Sequence, residues 1–200
     1  MTAAIAIAMR TDKQEVSPLA IFANGQTIYS DGEKCDWAYR VAFGAVSLYR
    51  VLACGRRQIV SFHLAGEWFG IEQGRRRQFT AEAIGPTGIL CANLAADQCS
   101  ALLPAVLDAL WSAREHQLVI SRQSSHERVA AFLLEISERT QDKRRFDLPM
   151  PRADIADYLG LTIESVSRAI TRLKCSNAIR LVGPRGVEIL DRDRLRSFCD

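Results

Sequence analysis

The stretch that most constrains this chain runs from Arg152 to Leu173, Arg-Ala-Asp-Ile-Ala-Asp-Tyr-Leu-Gly-Leu-Thr-Ile-Glu-Ser-Val-Ser-Arg-Ala-Ile-Thr-Arg-Leu. Its spacing reads as two helices joined by a tight turn. Pro151 suits the first turn of the leading helix, where a missing N–H costs nothing. Ile155, Tyr158 and Leu159 line one apolar face, and Ala156 is small where a second helix must cross closely. Gly160 falls at the turn, where a positive φ is cheap only for glycine. Thr162 is a natural N-cap for a helix from Ile163 to about Lys174. Val166, Ile170 and Leu173 repeat at helical spacing and face inward, leaving Glu164, Ser167, Arg168 and Thr171 outward. An ordinary amphipathic helix would also present a solvated face, with Glu164 and Arg168 as an i,i+4 ion pair. Here the small residue, the glycine, the cap and the inward valine agree in register, as a unit inserted into a DNA major groove requires. The outward residues have the matching chemistry. Arginine forks onto guanine O6 and N7, glutamate accepts from cytosine N4, and serine serves several base edges.

The charge distribution agrees. Net charge is only +3, yet residues 1–141 carry 14 Lys/Arg against 14 Asp/Glu, and residues 142–200 carry 12 against 9. All the excess positive charge lies with the helix-turn-helix, where phosphate contacts need it. Two hundred residues, 48% of them apolar, can bury one large core or two modest ones. No apolar run reaches the ~18 residues of a membrane span. Met1 to Met9 is apolar but has no basic residue ahead of it, which argues against a signal peptide. Six cysteines (35, 54, 91, 99, 175 and 199) are scattered without a C-x-x-C pair. They read as free thiols in a reducing cytoplasm, and a cytoplasmic protein is expected.

No catalytic triad, P-loop or Gly-rich phosphate cradle is present. A cupin-like metalloenzyme would need a cluster of histidines with a carboxylate, and His63 with Glu67 is all the chain offers. His116 and His126 show no ligand spacing to His63, which reads as a packed core histidine. The expectation is a protein that is not an enzyme and has neither metal nor cofactor.

The rest of the chain changes character twice. Residues 1–17 carry little pattern and read as a lead-in. From Pro18 to about Leu94 the chain is β, with runs Gln26–Tyr29, Tyr39–Phe43, Ala45–Leu52 and Gln58–His63. Asp31-Gly32, Gly44, Cys54-Gly55, Ala65-Gly66 and Gly85-Pro86 read as turns between strands, giving a rolled barrel or sandwich. A helix starting at Pro104 follows. Val106, Leu110, Ala113, Gln117 and Ile120 have the spacing of a coiled-coil seam and are assigned to a homodimer interface. A second stripe, Leu107, Trp111 and Leu118, lies beside it and could pack back on the β domain; the alternative is that both stripes are simply core. Val129–Ile136 is the first helix of the C-terminal domain, and Gln141–Arg145 a solvated loop. Ala178–Val182, Gly183–Gly186 and Val187–Leu190 form a strand, turn and strand, a wing that places Arg180 and Arg185 toward phosphates.

This plan is similar to that of the CRP/FNR superfamily of bacterial transcription regulators, from about residue 18 onward. Asp154-Ile-Ala-Asp-Tyr-Leu-Gly-Leu-Thr-Ile-Glu-Ser-Val-Ser-Arg168 resembles the FNR branch, whose base-reading pattern is E-x-x-S-R. Gly55–Ile59, Phe62–Leu64, Gly66-Glu67 and Phe69–Glu72 resemble the FixK group within it. The resemblance implies an α+β fold with a cyclic-nucleotide-binding-type β-roll (18–100), a dimerisation helix (101–124) and a C-terminal winged helix-turn-helix (125–200). It implies a homodimeric regulator, read as an activator, bound to palindromic TTGAT-type sites on double-stranded DNA and contacting RNA polymerase through β-roll loops. Glu164, Ser167 and Arg168 would read bases and Ile163 a thymine methyl. Thr162, Ser165, Thr171, Arg172, Arg180 and Arg185 would hold the DNA backbone.

Three departures bear on switching. Members with an oxygen-labile 4Fe–4S cluster hold it with three N-terminal cysteines and one in the roll. Cys91 falls at the roll position, but no cysteine precedes Cys35, so Cys91 reads as a buried thiol. The CRP branch binds the phosphate of cyclic AMP with an Arg-Ser pair after Gly-Glu. Gly66-Glu67 is present, but Gln78–Ala81 occupies the Arg-Ser region, with Arg75, Arg76 and Arg77 only nearby. Pro149-Met-Pro151 stands where some FixK proteins carry an oxidisable cysteine. These departures favour a regulator that needs no effector. The alternative is gating by a small molecule, haem or thiol redox in the roll or at Cys175, a candidate redox site.

Overall fold

The computed structural model describes residues 19–93 and 99–199, so the lead-in of 1–17 lies outside the described residues. The chain divides into two compact units, Met1–Trp111 and Ser112–Asp200. In the first, strands β1 (Leu19–Phe22), β2 (Thr27–Tyr29), β3 (Trp37–Val51), β4 (Arg57–Leu64), β5 (Trp68–Phe69) and β6 (Thr80–Asn93) make one antiparallel sheet. Its order is β1-β6-β3-β4, with β2 on β6 and β5 on β3. Alternation along the strands turns Val41, Val46, Leu48, Phe69, Ala81 and Ile89 into a buried core.

Gly44 and Gly85-Pro86 are not turns, as the sequence suggested. They lie inside β3 and β6, opposite each other, where the pairing passes from Phe43↔Gly88 to Ala45↔Ile84. Gly44 has φ +83°, and a Cβ there would meet Pro86 O and Thr87 Oγ1 at 2.6 Å. The buried Thr87 latches the corner by donating to Ala45 O (3.0 Å) and accepting from Ala45 N–H (3.3 Å). Glycine and proline mark a departure from regular pairing, and a bulge that bends two long strands satisfies that signal as well as a turn.

Helix α1 (Cys99–Ile120) begins before Pro104, which therefore stands inside it. Both apolar stripes are exposed. Leu107, Trp111 and Leu118 are 56–65% accessible. Among the described residues no helix is long and apolar enough to cross a membrane.

In the second unit, Ser124 opens α2 (Ser125–Arg139) with a capping box, its Oγ accepting from Glu127 N–H while Glu127 accepts from Ser124 N–H. Then follow β7 (Arg145–Asp147), α3 (Arg152–Leu159), α4 (Ile163–Cys175), β8 (Ile179–Val182), β9 (Gly186–Ile189) and α5 (Arg192–Arg196). The expected wing is a three-stranded sheet in the order β7-β9-β8. Arg145, read as the end of a solvated loop, begins its third strand, because Phe146 is drawn into the core opposite Val187. Leu195 anchors α5 with no exposed surface.

His116, on the last turns of α1, stacks on Tyr158 of α3 (3.9 Å between centroids, 17°), and Tyr158 meets Phe132 edge-on at 5.8 Å. The His116 Nδ1 is buried with no hydrogen-bond partner among the described residues, and burial pushes the ring pKa from 6.5 down to about 4. The folded state therefore prefers the neutral ring. That contribution is complete above pH 6.5 and is lost as pH falls from 6.5 towards 4. With the ring only partly buried, screening reduces it to on the order of 1–2 kcal/mol. His116→Phe keeps the stack and should lose less stability than the wild type between pH 7 and about pH 4.5, measured by urea unfolding. Equal losses would show that His116 is not held neutral by the fold.

Candidate nucleic-acid interface

The helix-turn-helix forms as its residues require. Pro151 is the N-cap of α3 rather than its first-turn residue (φ −72°, ψ 163°), and Ile155, Ala156, Tyr158 and Leu159 are buried. Gly160 closes α3 in the left-handed region at φ 63°, and its N–H and that of Leu161 both turn back to Ala156 O. Thr162 then caps α4, its Oγ1 accepting from Ser165 N–H at 3.2 Å. Val166, Ala169, Ile170 and Leu173 are all at or below 3% exposure, so the rotation of α4 is fixed by packing.

That rotation leaves Ile163, Glu164, Arg168, Thr171 and Arg172 exposed, with Ser165 and Ser167 half-buried beside them. Among the described residues no ion pair joins Glu164 to Arg168. Arg168 Nη2 instead donates to Ser165 Oγ at 3.4 Å, and Thr162 Oγ1 donates to the same oxygen at 3.1 Å. Thr171 Oγ1 returns to Ser167 O at 2.9 Å. Two residues that the sequence did not single out join the face. Arg152, at the start of α3, donates from Nη1 to Ser167 Oγ at 3.4 Å, and His126 Nδ1 lies 3.5 Å from Arg172 Nη1. Both lie outside the periodic motif on α4, and only the crossing of helices brings them to it.

The wing arginines are partly engaged. Arg180 pairs with Glu188 across the β8–β9 ladder at 3.2 Å, and Arg185 donates to Pro149 O at 2.8 Å. Arg185 thereby ties the wing tip to the approach of α3 while staying exposed. Cys175, the last residue of α4, is exposed. On α1 the seam residues Val106, Leu110, Ala113, Gln117 and Ile120 are all exposed.

The roll departs from two expectations. Cys91 is half-buried rather than buried, and desolvation raises its thiol pKa. His63 is half-buried as well, its ring tilted by 34° against Phe69 (5.5 Å between centroids) with Nε2 3.0 Å from Ser61 Oγ. Glu67 is used locally, accepting from Leu64 N–H at 2.9 Å. Among the described residues no three His, Cys, Asp or Glu side chains come together as a metal site.

Known proteins share this arrangement. Residues 20–98 match the cyclic nucleotide-binding domain and residues 127–198 the Crp-like helix-turn-helix domain. The chain is 46% identical to the nitrogen fixation regulation protein FixK of Rhizobium meliloti, over 91% of this chain and 87% of that protein. It is 37% identical to the FixK of Bradyrhizobium diazoefficiens, over 89% of this chain and 80% of the other. The solved structure of FixK2 from Bradyrhizobium japonicum superposes with a TM-score of 0.86 at 35% identity, covering 93% of this chain and 98% of that one. With a rolled sheet ahead of a winged helix-turn-helix and relatives of this kind along nearly its whole length, the chain belongs to the CRP/FNR family of DNA-binding transcription regulators, in its FixK group.

Proposed function

We propose that this protein is a homodimeric transcription activator that reads a palindromic TTGAT-type site through α4 and does so without a bound effector. The observation that carries this reading is the outward face of α4, where Glu164, Ser167 and Arg168 keep the E-x-x-S-R spacing and Glu164 and Arg168 are exposed. Two such helices related by a two-fold axis would enter successive major grooves about 34 Å apart. The exposed stripe on α1 supplies the surface for the second copy, since apolar side chains at this density are seldom left to water. Thr162, Ser165, Thr171, Arg172 and the wing position the DNA backbone, which sets register but carries no sequence information. Activation is supported by the relatives, several of which are named as transcriptional activators, and it calls for a contact with RNA polymerase from the roll.

The test is binding of the purified, metal-free protein to a palindromic TTGAT-type duplex and to a scrambled one at fixed salt, with and without reductant. Tight specific binding in both conditions is expected. Binding that requires reductant would move control to a thiol, with the exposed Cys175 as the first residue to replace. No preference for the palindrome would overturn the reading.

A further inference from the structure

Between β5 and β6 the chain folds Arg77 into the roll, leaving it 2% exposed. Its guanidinium donates from Nη1 to Gly70 O and from Nη2 to Trp37 O, each at 2.5 Å. It also lies over the Tyr29 and Tyr39 rings, at 4.2 and 5.3 Å from their centroids. Glu72 comes to it from the same loop. Its Oε1 is 3.8 Å from Arg77 Nη1, with 1% of the arginine side chain and 7% of the glutamate side chain exposed. That oxygen also accepts from Tyr29 Oη–H at 3.3 Å, and Oε2 accepts from Gln78 N–H at 2.5 Å. Burial first, and then the Glu72 carboxylate, raise the Tyr29 phenol far above its ordinary range, so it remains a donor.

A phenol hydroxyl and a backbone N–H thus donate to one nearly buried carboxylate, and a buried guanidinium stands 3.8 Å away as its counter-charge, the surroundings an anion needs. The site follows Gly66-Glu67 within the region that matches a cyclic nucleotide-binding domain. At Gly70 even a Cβ would come within 2.9 Å of both Arg77 Nη1 and the Tyr39 ring. Of the three consecutive arginines, Arg75 and Arg76 are exposed and only Arg77 enters.

We propose that Glu72 is a built-in anionic ligand. It fills the anion site made by Arg77, Tyr29 and the Gln78 N–H, and so ties β2, β3 and the 70–78 loop together as a bound phosphate group would. The inference rests on the effector-independent reading above and gives it a physical cause. Removing the carboxylate should uncover a site for an exogenous phosphate.

The full-length wild type, Glu72→Ala and the double variant Glu72→Ala/Arg77→Leu would be titrated with inorganic phosphate and, separately, with cyclic AMP, following the melting temperature and the heat of binding. The wild type and the double variant should show no saturable change. Glu72→Ala should gain a concentration-dependent rise in melting temperature. A response to phosphate alone defines a bare anion site, and a response only to cyclic AMP adds a contact to the nucleoside; either supports the proposal if it requires Arg77. A folded Glu72→Ala that binds neither probe, or a wild type that binds as well as the variant, overturns it. If Glu72→Ala does not fold, Glu72→Gln preserves the shape. Exchange of the Gln78 amide proton should then be faster than in the wild type and be slowed again by phosphate, and unchanged exchange would overturn the proposal. DNA binding by the ligand-free wild type tests the underlying reading separately. Its failure alongside a gained phosphate site would remove effector independence and leave the anion site standing.

Discussion

Leu110→Glu is expected to convert the protein to a monomer and to weaken binding to a palindromic duplex by about 10²–10⁴-fold, the gain that linking two binding modules supplies. Leu110 is 48% exposed on α1, in the same stripe as Val106 and Ile120. A second copy of α1 would cover that stripe by placing like positions against each other across the two-fold axis. Glutamate there would put two carboxylates into an apolar seam, a cost of several kcal/mol per buried charge. The change would not act through the helix itself, because glutamate is a good helix former and the position is open to solvent in the single chain. Light scattering would read the mass and a fluorescence titration the duplex affinity. A mutant that remains dimeric with unchanged affinity would place the interface off this stripe. Trp111→Glu, on the neighbouring stripe, would then be the informative variant, since Trp111 is 65% exposed.

The parts of this fold that were legible in the sequence are those whose signals are local and periodic. Gly160, Thr162, Val166 and Leu173 each have a conformational or packing reason to stand where they do, and all four reasons refer to one register. The wing was legible because Gly183-Pro-Arg-Gly186 is a turn between two β-rich runs. Strand β7 and helix α5 were not, because three and five residues are too few to show a period. They form because Phe146 and Leu195 find a core made by residues distant in sequence. Gly44 and Gly85-Pro86 show a different limit. A glycine or proline marks where regular pairing breaks, but whether the strand turns or bulges is decided by the strand opposite. Spacing found both stripes on α1 without showing that neither would be covered within the chain. The same holds for the 75–77 run, where sequence gives three equivalent arginines and only the aromatic surface of Tyr29 and Tyr39 selects Arg77. Arg152 and His126 reach the outward face of α4 through helix crossings that no window of sequence contains.

Arg168→Ala should cost on the order of 1–3 kcal/mol of specific binding per half-site and should flatten the preference at a single base pair. Among the described residues Arg168 holds only a 3.4 Å contact to Ser165 Oγ, and it is exposed, so its removal leaves the α4 packing of Val166, Ile170 and Leu173 untouched. Alanine is also the best helix former, so the variant should melt within a degree or two of the wild type. The discriminating comparison is with Arg172→Ala. A phosphate contact neutralises charge on every sequence alike, so that variant should weaken specific and random DNA in parallel and reduce the slope of log affinity against log salt by about 1. A base contact acts differently, lowering affinity for the TTGAT-type palindrome while leaving random DNA nearly unchanged. Titrating both variants against the palindrome, its single-base substitutions and a scrambled duplex at several salt concentrations separates the two roles. If Arg168→Ala instead weakens all duplexes equally and shifts the salt slope, the arginine holds phosphate, and base reading on this face falls to Glu164 and to Ser167, whose hydroxyl Arg152 already contacts.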